Sequence, residues 1–206
     1  IINNVANNAF YINDIGHTYR ELGQRISAIR AEIRSWHSDE QVVALAFHDD
    51  LNTYASIFAL WMEGKAYVPL HPNWPKERND SILQQIGCSQ ILESCDAPYT
   101  EDLLDDWVEI NDEGLAYVLF TSGSTGKPKG VSLTRGNLAS FVSAFWNMGY
   151  ELTPKDRCLQ CFDLTFDLSV MSYLVPLLRG ACVYTVPFDA VKYLAICGLM
   201  EEHQLT

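Results

Sequence analysis

The chain has 206 residues, 48% hydrophobic and 19% charged, with 14 Lys and Arg against 26 Asp and Glu for a formal net charge of −12. That length and balance suit a folded unit with a sizeable core, exclude wholesale disorder, and lack the basic stripe of a nucleic-acid binder. No stretch approaches the ~18 consecutive apolar residues of a membrane span, the longest candidate being Tyr54–Met62.

The acid excess is local. Residues 93–113 hold nine acids and no Lys or Arg, and are expected to form a solvated surface segment. The chain begins at Ile1 without an initiator Met or a charged-then-apolar leader. It is expected to be a piece of a longer, cytoplasmic protein that associates with neither membrane nor nucleic acid.

Thr18-Tyr19-Arg20-Glu21 has the form of a capping box, and behind it Leu22, Ile26, Ile29, Ile33 and Trp36 recur at helical spacing. This predicts an amphipathic helix with Arg25, Arg30 and Arg34 outside its apolar face. Val42–Phe47 reads as a strand buried on both faces, 51–63 as a helix ended by Gly64, and Ala66–Leu70 as a second buried strand. A Pro-rich loop, His71 to Pro75, leads to a helix around 76–86 that stops at Gly87, then a short strand at Gln90–Leu92. After the acidic segment come a strand at Leu115–Phe120, a glycine-rich loop, a strand at Val131–Leu133 and a helix from Thr134 to about Met148. A strand near Cys158–Phe162, a helix over 168–178 ending at Gly180, a strand at Ala181–Val186 and a helix at Ala190–Glu202 complete the pattern. Alternating helices and continuously apolar strands imply an α/β fold, a mostly parallel sheet with helices on both faces.

Of the six cysteines only Cys158 and Cys161 form a C-x-x-C pair. A zinc site would want a second pair, and strand positions three apart point to opposite faces, so no metal site is expected. Reduced, buried thiols are the expected state. His48-Asp49-Asp50 falls at the end of a strand, where loop solvation and helix capping account for it.

Thr121-Ser122-Gly123-Ser124-Thr125-Gly126-Lys127-Pro128-Lys129-Gly130 carries the chemistry. Glycines let backbone N–H groups turn toward an anion, hydroxyls add donors, and the lysines supply charge. The loop is a phosphate cradle in composition. It is no Walker A loop, since Thr121 and Pro128 stand where that motif needs Gly and Ser or Thr, and no nucleophile elbow.

Tyr117–Val131, YVLFTSGSTGKPKGV, resembles the signature of the adenylate-forming (AMP-binding) enzymes, which include acyl-CoA synthetases, luciferases and the adenylation domains of nonribosomal peptide synthetases. Three further blocks agree in order. His17–Leu22 (HTYREL) resembles the first core motif, Leu60–Arg78 (LWMEGKAYVPLHPNWPKER) the second, and Phe166–Val170 (FDLSV) the fourth. His71 stands where the second motif usually has Asp, and no role follows for it.

The resemblance implies that residues 1–206 are the N-terminal portion of an adenylation domain, within its large parallel-sheet domain. The later core motifs, the catalytic Lys and the side-chain pocket would lie beyond Thr206, leaving no catalytic residue in this segment. It further implies joining of a carboxylate to ATP, with Mg²⁺ as the phosphate partner and Thr121, Ser122, Gly123, Ser124, Thr125, Gly126, Lys127 and Lys129 around the phosphates. The second and fourth motifs are most similar to amino-acid-activating members. FDLSVMSYLVPLLRGA resembles D-alanine–carrier protein ligases, with peptide-synthetase adenylation domains close behind. Transfer of the acyl group to a carrier-protein phosphopantetheine thiol would follow. Alternatives are an acyl-CoA synthetase for a fatty or aryl acid, and a non-catalytic nucleotide-binding module. By the same resemblance Asp167 contacts the substrate's ammonium; read from the residues alone it is equally a helix N-cap, while Asp163 is expected to be structural.

Overall fold

The computed structural model describes residues 6–93, 100, 103–104, 106–122 and 128–206. The elements are β1 (Asn8–Ile12), β2 (Ile15–Thr18), α1 (Tyr19–Ser35), β3 (Val42–Ala46), α2 (Leu51–Met62), β4 (Ala66–Leu70), α3 (Lys76–Ile86), β5 (Ile91–Glu93), β6 (Leu115–Ser122), β7 (Pro128–Thr134), α4 (Arg135–Asn147), β8 (Arg157–Gln160), α5 (Leu168–Leu178), β9 (Cys182–Thr185) and α6 (Lys192–His203). The strands divide between two sheets, ordered β2-β1-β9-β8 and β5-β3-β4-β6-β7. Pairing is mostly parallel, as expected; among the described residues only β1 with β2 and β6 with β7 run antiparallel. The β1–β2 hairpin is an addition to the sequence reading. Its turn is made by Asn13 and Asp14, both at positive φ and both residue types that tolerate that region.

The continuously apolar strands are buried on both sides, each side belonging to a different core. Val43, Leu45, Tyr67, Tyr117 and Leu119 join a large core with β1, α1, α2, α5 and Val183 of β9. Ala44, Val68, Leu70, Val118 and Phe120 alternate with them and face Ile82 of α3. The five-stranded sheet therefore has helices on both faces. Helix α2 runs through the larger core: Tyr54 stacks on Phe10 of β1 (4.3 Å) and meets Tyr173 of α5 edge-on (5.6 Å). The Trp61 indole N–H donates to the carbonyl of Ala116 in β6 (2.8 Å).

Helix α1 opens with the expected capping box, Thr18 Oγ1 accepting from Glu21 N–H while the Glu21 carboxylate accepts from Thr18 N–H. One of its arginines departs from expectation. Arg30 is fully buried, because an acid waits for it at the end of α2: its Nε donates to Glu63 (2.7 Å), Nη1 to the Leu104 carbonyl (3.0 Å) and Nη2 to Asp106 (3.2 Å). Arg34 doubles the bridge, contacting Glu63 and Asp106 at 2.9 and 2.7 Å. So the acidic segment is not wholly free in solvent; at Asp106 it is tied to α1. Asp50 caps α2 by accepting from Thr53 N–H (2.8 Å), while Asp49 is half-buried and accepts from Phe188 N–H (2.9 Å). The cysteines at 88, 158, 161, 182 and 197 are free and only partly buried.

Glu63→Ala is expected to lower stability by about 1.5–3 kcal/mol, since it removes a charged hydrogen-bond partner from the buried Arg30 guanidinium; chemical denaturation reads the loss. A second expectation concerns pH. Burial pushes the Asp49 carboxyl from 3.8 up to about 6. The folded state then holds a proton that the unfolded chain has released, so stability falls as pH rises from about 4 to about 6. Asp49→Asn is expected to flatten the pH dependence of the melting temperature across that window.

Candidate functional site

The glycine-rich segment is the tip of the β6–β7 hairpin. Strand pairing runs further out than the sequence suggests: Thr121 and Ser122 end β6, and Pro128, Lys129 and Gly130 begin β7, with Thr121 opposite Lys129 and Ser122 opposite Pro128. Pro128 is accommodated because it is the first residue of an edge strand, where a missing N–H costs little. Gly123, Ser124, Thr125, Gly126 and Lys127 lie outside the described residues. Thr121 and Lys129 are both exposed, Thr121 Oγ1 lying 3.5 Å from the Lys129 carbonyl oxygen. Gly130 has its own packing reason, since a Cβ there would meet Phe120 Cζ at 3.0 Å.

Directly opposed residues of an antiparallel pair project to one side, and side chains alternate along a strand. Tyr117 with Leu133, Leu119 with Val131, and Thr121 with Lys129 therefore share one face of the hairpin. At the root of that face lies a cavity of about 160 Å³, lined among others by Tyr117, Leu133, Phe141 of α4, and Asp167, Val170 and Met171. Asp167 sits at the N-cap position of α5 but makes no side-chain cap hydrogen bond, with φ −61° and ψ −31° in the helical region. Capping thus does not account for it. Its carboxylate is exposed at the rim, and burial together with the Asp167 charge pushes the Tyr117 hydroxyl up to about 12. From Tyr117 to Thr121 is four residues, roughly 13 Å of strand. The hairpin face thus carries an anionic, apolar-walled cavity at its root and a hydroxyl–lysine pair near its tip.

Two residues acquire contacts that the sequence did not disclose. His71, at the end of β4, is buried, and its Nε2 lies 3.0 Å from Asp163 Oδ2 in the loop after β8. Nδ1 accepts from Asn73 N–H (3.0 Å), so this hydrogen-bond pattern assigns the proton to Nε2. The one signal available was the departure at 71 from the second motif. Asp163 also belongs to a small polar cavity of about 30 Å³, with Asp49, Gln160 and Lys192 in its wall, enough for a single water.

Comparison with known proteins bears on the family and the fold. Residues 3–206 match the family described as AMP-binding enzyme. A plipastatin synthase of Bacillus subtilis is 31% identical over 85% of this chain, and nonribosomal peptide synthetase 5 of Gibberella zeae is 32% identical over 88%. The chain spans only 7% and 2% of those proteins' lengths. Among solved structures, the Vibrio cholerae adenylation domain AlmE in complex with glycyl-adenosine-5'-phosphate superimposes with a TM-score of 0.86 at 26% identity, covering 100% of this chain and 46% of that one. The fused adenylation–PCP didomain NpsA-ThdA of Klebsiella oxytoca has the same fold, with a TM-score of 0.87 at 24% identity over 100% of this chain and 44% of that one. With the signature hairpin, the two-sheet fold and this match over nearly its whole length, the chain belongs to the AMP-binding enzyme family.

Proposed function

We propose that the chain is the N-terminal portion of an adenylation domain that activates an amino acid with ATP and passes the acyl group to a carrier-protein phosphopantetheine thiol. The D-alanine–carrier protein ligase type is favoured within that class. One observation carries the reading: an anionic cavity rim and a hydroxyl–lysine pair share one face of the β6–β7 hairpin, as an ammonium-bearing acid and a polyphosphate would require. Relatives named as plipastatin synthase and nonribosomal peptide synthetase support the amino-acid class. The glycyl-adenylate complex of AlmE favours a small side chain, and the NpsA-ThdA didomain supports a carrier partner. ATP use points to the cytoplasm; among the described residues no helix is long and apolar enough to cross a membrane.

In the proposed reaction a carboxylate oxygen attacks the α-phosphorus of ATP. The new O–P bond forms as the bond to the β-phosphate oxygen breaks, and pyrophosphate leaves with the electron pair. Thr121, Ser122, Gly123, Ser124, Thr125, Gly126, Lys127 and Lys129 would donate to and neutralise the departing phosphates, which is electrostatic stabilisation of developing charge. Asp167 would hold the ammonium at the cavity mouth, orienting the carboxylate toward the hairpin tip. Mg²⁺, when bound with the nucleotide, would supply counter-charge to the phosphates.

Two variants test the two ends of the hairpin face by pyrophosphate exchange. Lys129→Ala is expected to slow exchange roughly 100-fold with little change in amino-acid KM; normal ATP kinetics would remove the phosphate role. Asp167→Ala deletes a hydrogen bond to a charged group, worth about 1.5–3 kcal/mol, or roughly 10- to 150-fold in kcat/KM for the amino acid. Its melting temperature is expected to stay unchanged, because the side chain caps nothing. An unaltered kcat/KM would send the reading toward a fatty or aryl acid substrate.

A further inference from the structure

His71 and Asp163 join the two sheets, the histidine at the end of β4 and the aspartate in the loop that leads from β8 to α5. The imidazole is packed among Phe47, Trp74 and Phe188, with ring centroids 5.3–5.7 Å away. Asn73 fixes its Nδ1 from one side, leaving Nε2–H to donate to Asp163 Oδ2. The other carboxylate oxygen of Asp163, Oδ1, accepts from Thr165 N–H (2.8 Å) and Thr165 Oγ1–H (2.7 Å), and its backbone carbonyl accepts from Phe166 N–H (2.9 Å). The two oxygens of one carboxylate therefore tie His71 to a single turn, residues 163–166. The next residue is Asp167. Its side chain makes no capping bond of its own, so the turn, rather than a bond from the carboxylate to α5, determines where that carboxylate stands.

We propose that His71 is a positioning residue for amino-acid recognition: by hydrogen-bonding Asp163 it fixes the 163–166 turn and so places the Asp167 carboxylate at the cavity mouth. This rests on the reading of Asp167 as the partner of the substrate ammonium. The choice of histidine fits the partner. An Asp at 71, as the resembling second motif carries, would set two carboxylates against each other and push the turn away.

The experiment measures pyrophosphate exchange by the intact enzyme with glycine and D-alanine as probes, alongside thermal melts. His71→Ala is expected to raise amino-acid KM roughly 10-fold, the order of one charge-assisted hydrogen bond, while KM for ATP stays within twofold. His71→Gln keeps an N–H at the reach of Nε2 and is expected to recover most of the loss, whereas His71→Asp is expected to be worse than Ala. If His71→Ala does not fold, Asp163→Asn carries the same expectation, because it keeps an acceptor for Thr165 but turns a donor toward Nε2–H. Because His71 acts through Asp167, the double variant His71→Ala/Asp167→Ala is expected to be no worse than Asp167→Ala alone. Amino-acid KM unchanged in the His71 and Asp163 variants, or effects that simply multiply in the double variant, would overturn the positioning role while leaving Asp167 in place. An Asp167→Ala enzyme with normal amino-acid kinetics would overturn both.

Discussion

Helix α2 has almost no face left for solvent. Leu51, Thr53, Tyr54, Ala55, Ser56, Ile57, Ala59, Leu60 and Trp61 are all buried, and the helix lies in the core shared by the two sheets. A helix so placed cannot leave its ends to water, and the neighbouring polar architecture answers that need. Asp50 closes the N-terminus, and the Arg135 guanidinium donates to the Trp61 carbonyl at the other end (3.1 Å). Glu63 stands at the C-cap, where the helix dipole disfavours a negative charge, and two arginines from α1 neutralise it. The Arg30–Glu63 pair is thus a condition of burying α2 as much as a link between helices.

The hairpin inherits its stiffness from that helix. Trp61 holds the β6 backbone at Ala116, and Tyr67 of β4 shares its hydroxyl with Tyr173 of α5 at 3.1 Å, so the root of the hairpin is locked to both neighbours. Toward its far end Thr121 and Lys129 are exposed, and β7 is an edge strand.

Element positions were readable from the sequence because the signals were local. Ala66–Leu70 could be bounded to the residue, and the helix near 168–178 closely, because an apolar helix ends before Gly180. What the sequence concealed is non-local. Arg30 follows Ile29 on a helix and reads as surface until Glu63 is folded against it, thirty-three positions away. His71 and Asp163 are separated by almost half the chain, and no periodicity couples them. Asp167 reads as cap or contact alike, and the cap bond that the first reading needs is not formed. The extension of β6 and β7 into the glycine-rich segment was hidden for another reason: small and charged residues are weak strand formers, and an antiparallel partner overrides that preference.

The order of strands in the smaller sheet has a consequence for how the chain must be made. β9 follows β8 in sequence yet lies between β1 and β8, so Phe10 pairs with Val183 far along the polypeptide. Strands β3 to β7 are all present once Thr134 has left the ribosome, whereas β1 lacks its parallel neighbour until β9 is synthesised. Through that interval Ala9, Phe10 and Ile12, all buried in the finished fold, lack their final cover. Closure across so long a loop is slow, and an apolar strand with an open edge is prone to join a foreign chain. Vectorial synthesis therefore leaves β1 waiting for β9, an interval in which an apolar strand edge stands open to aggregation.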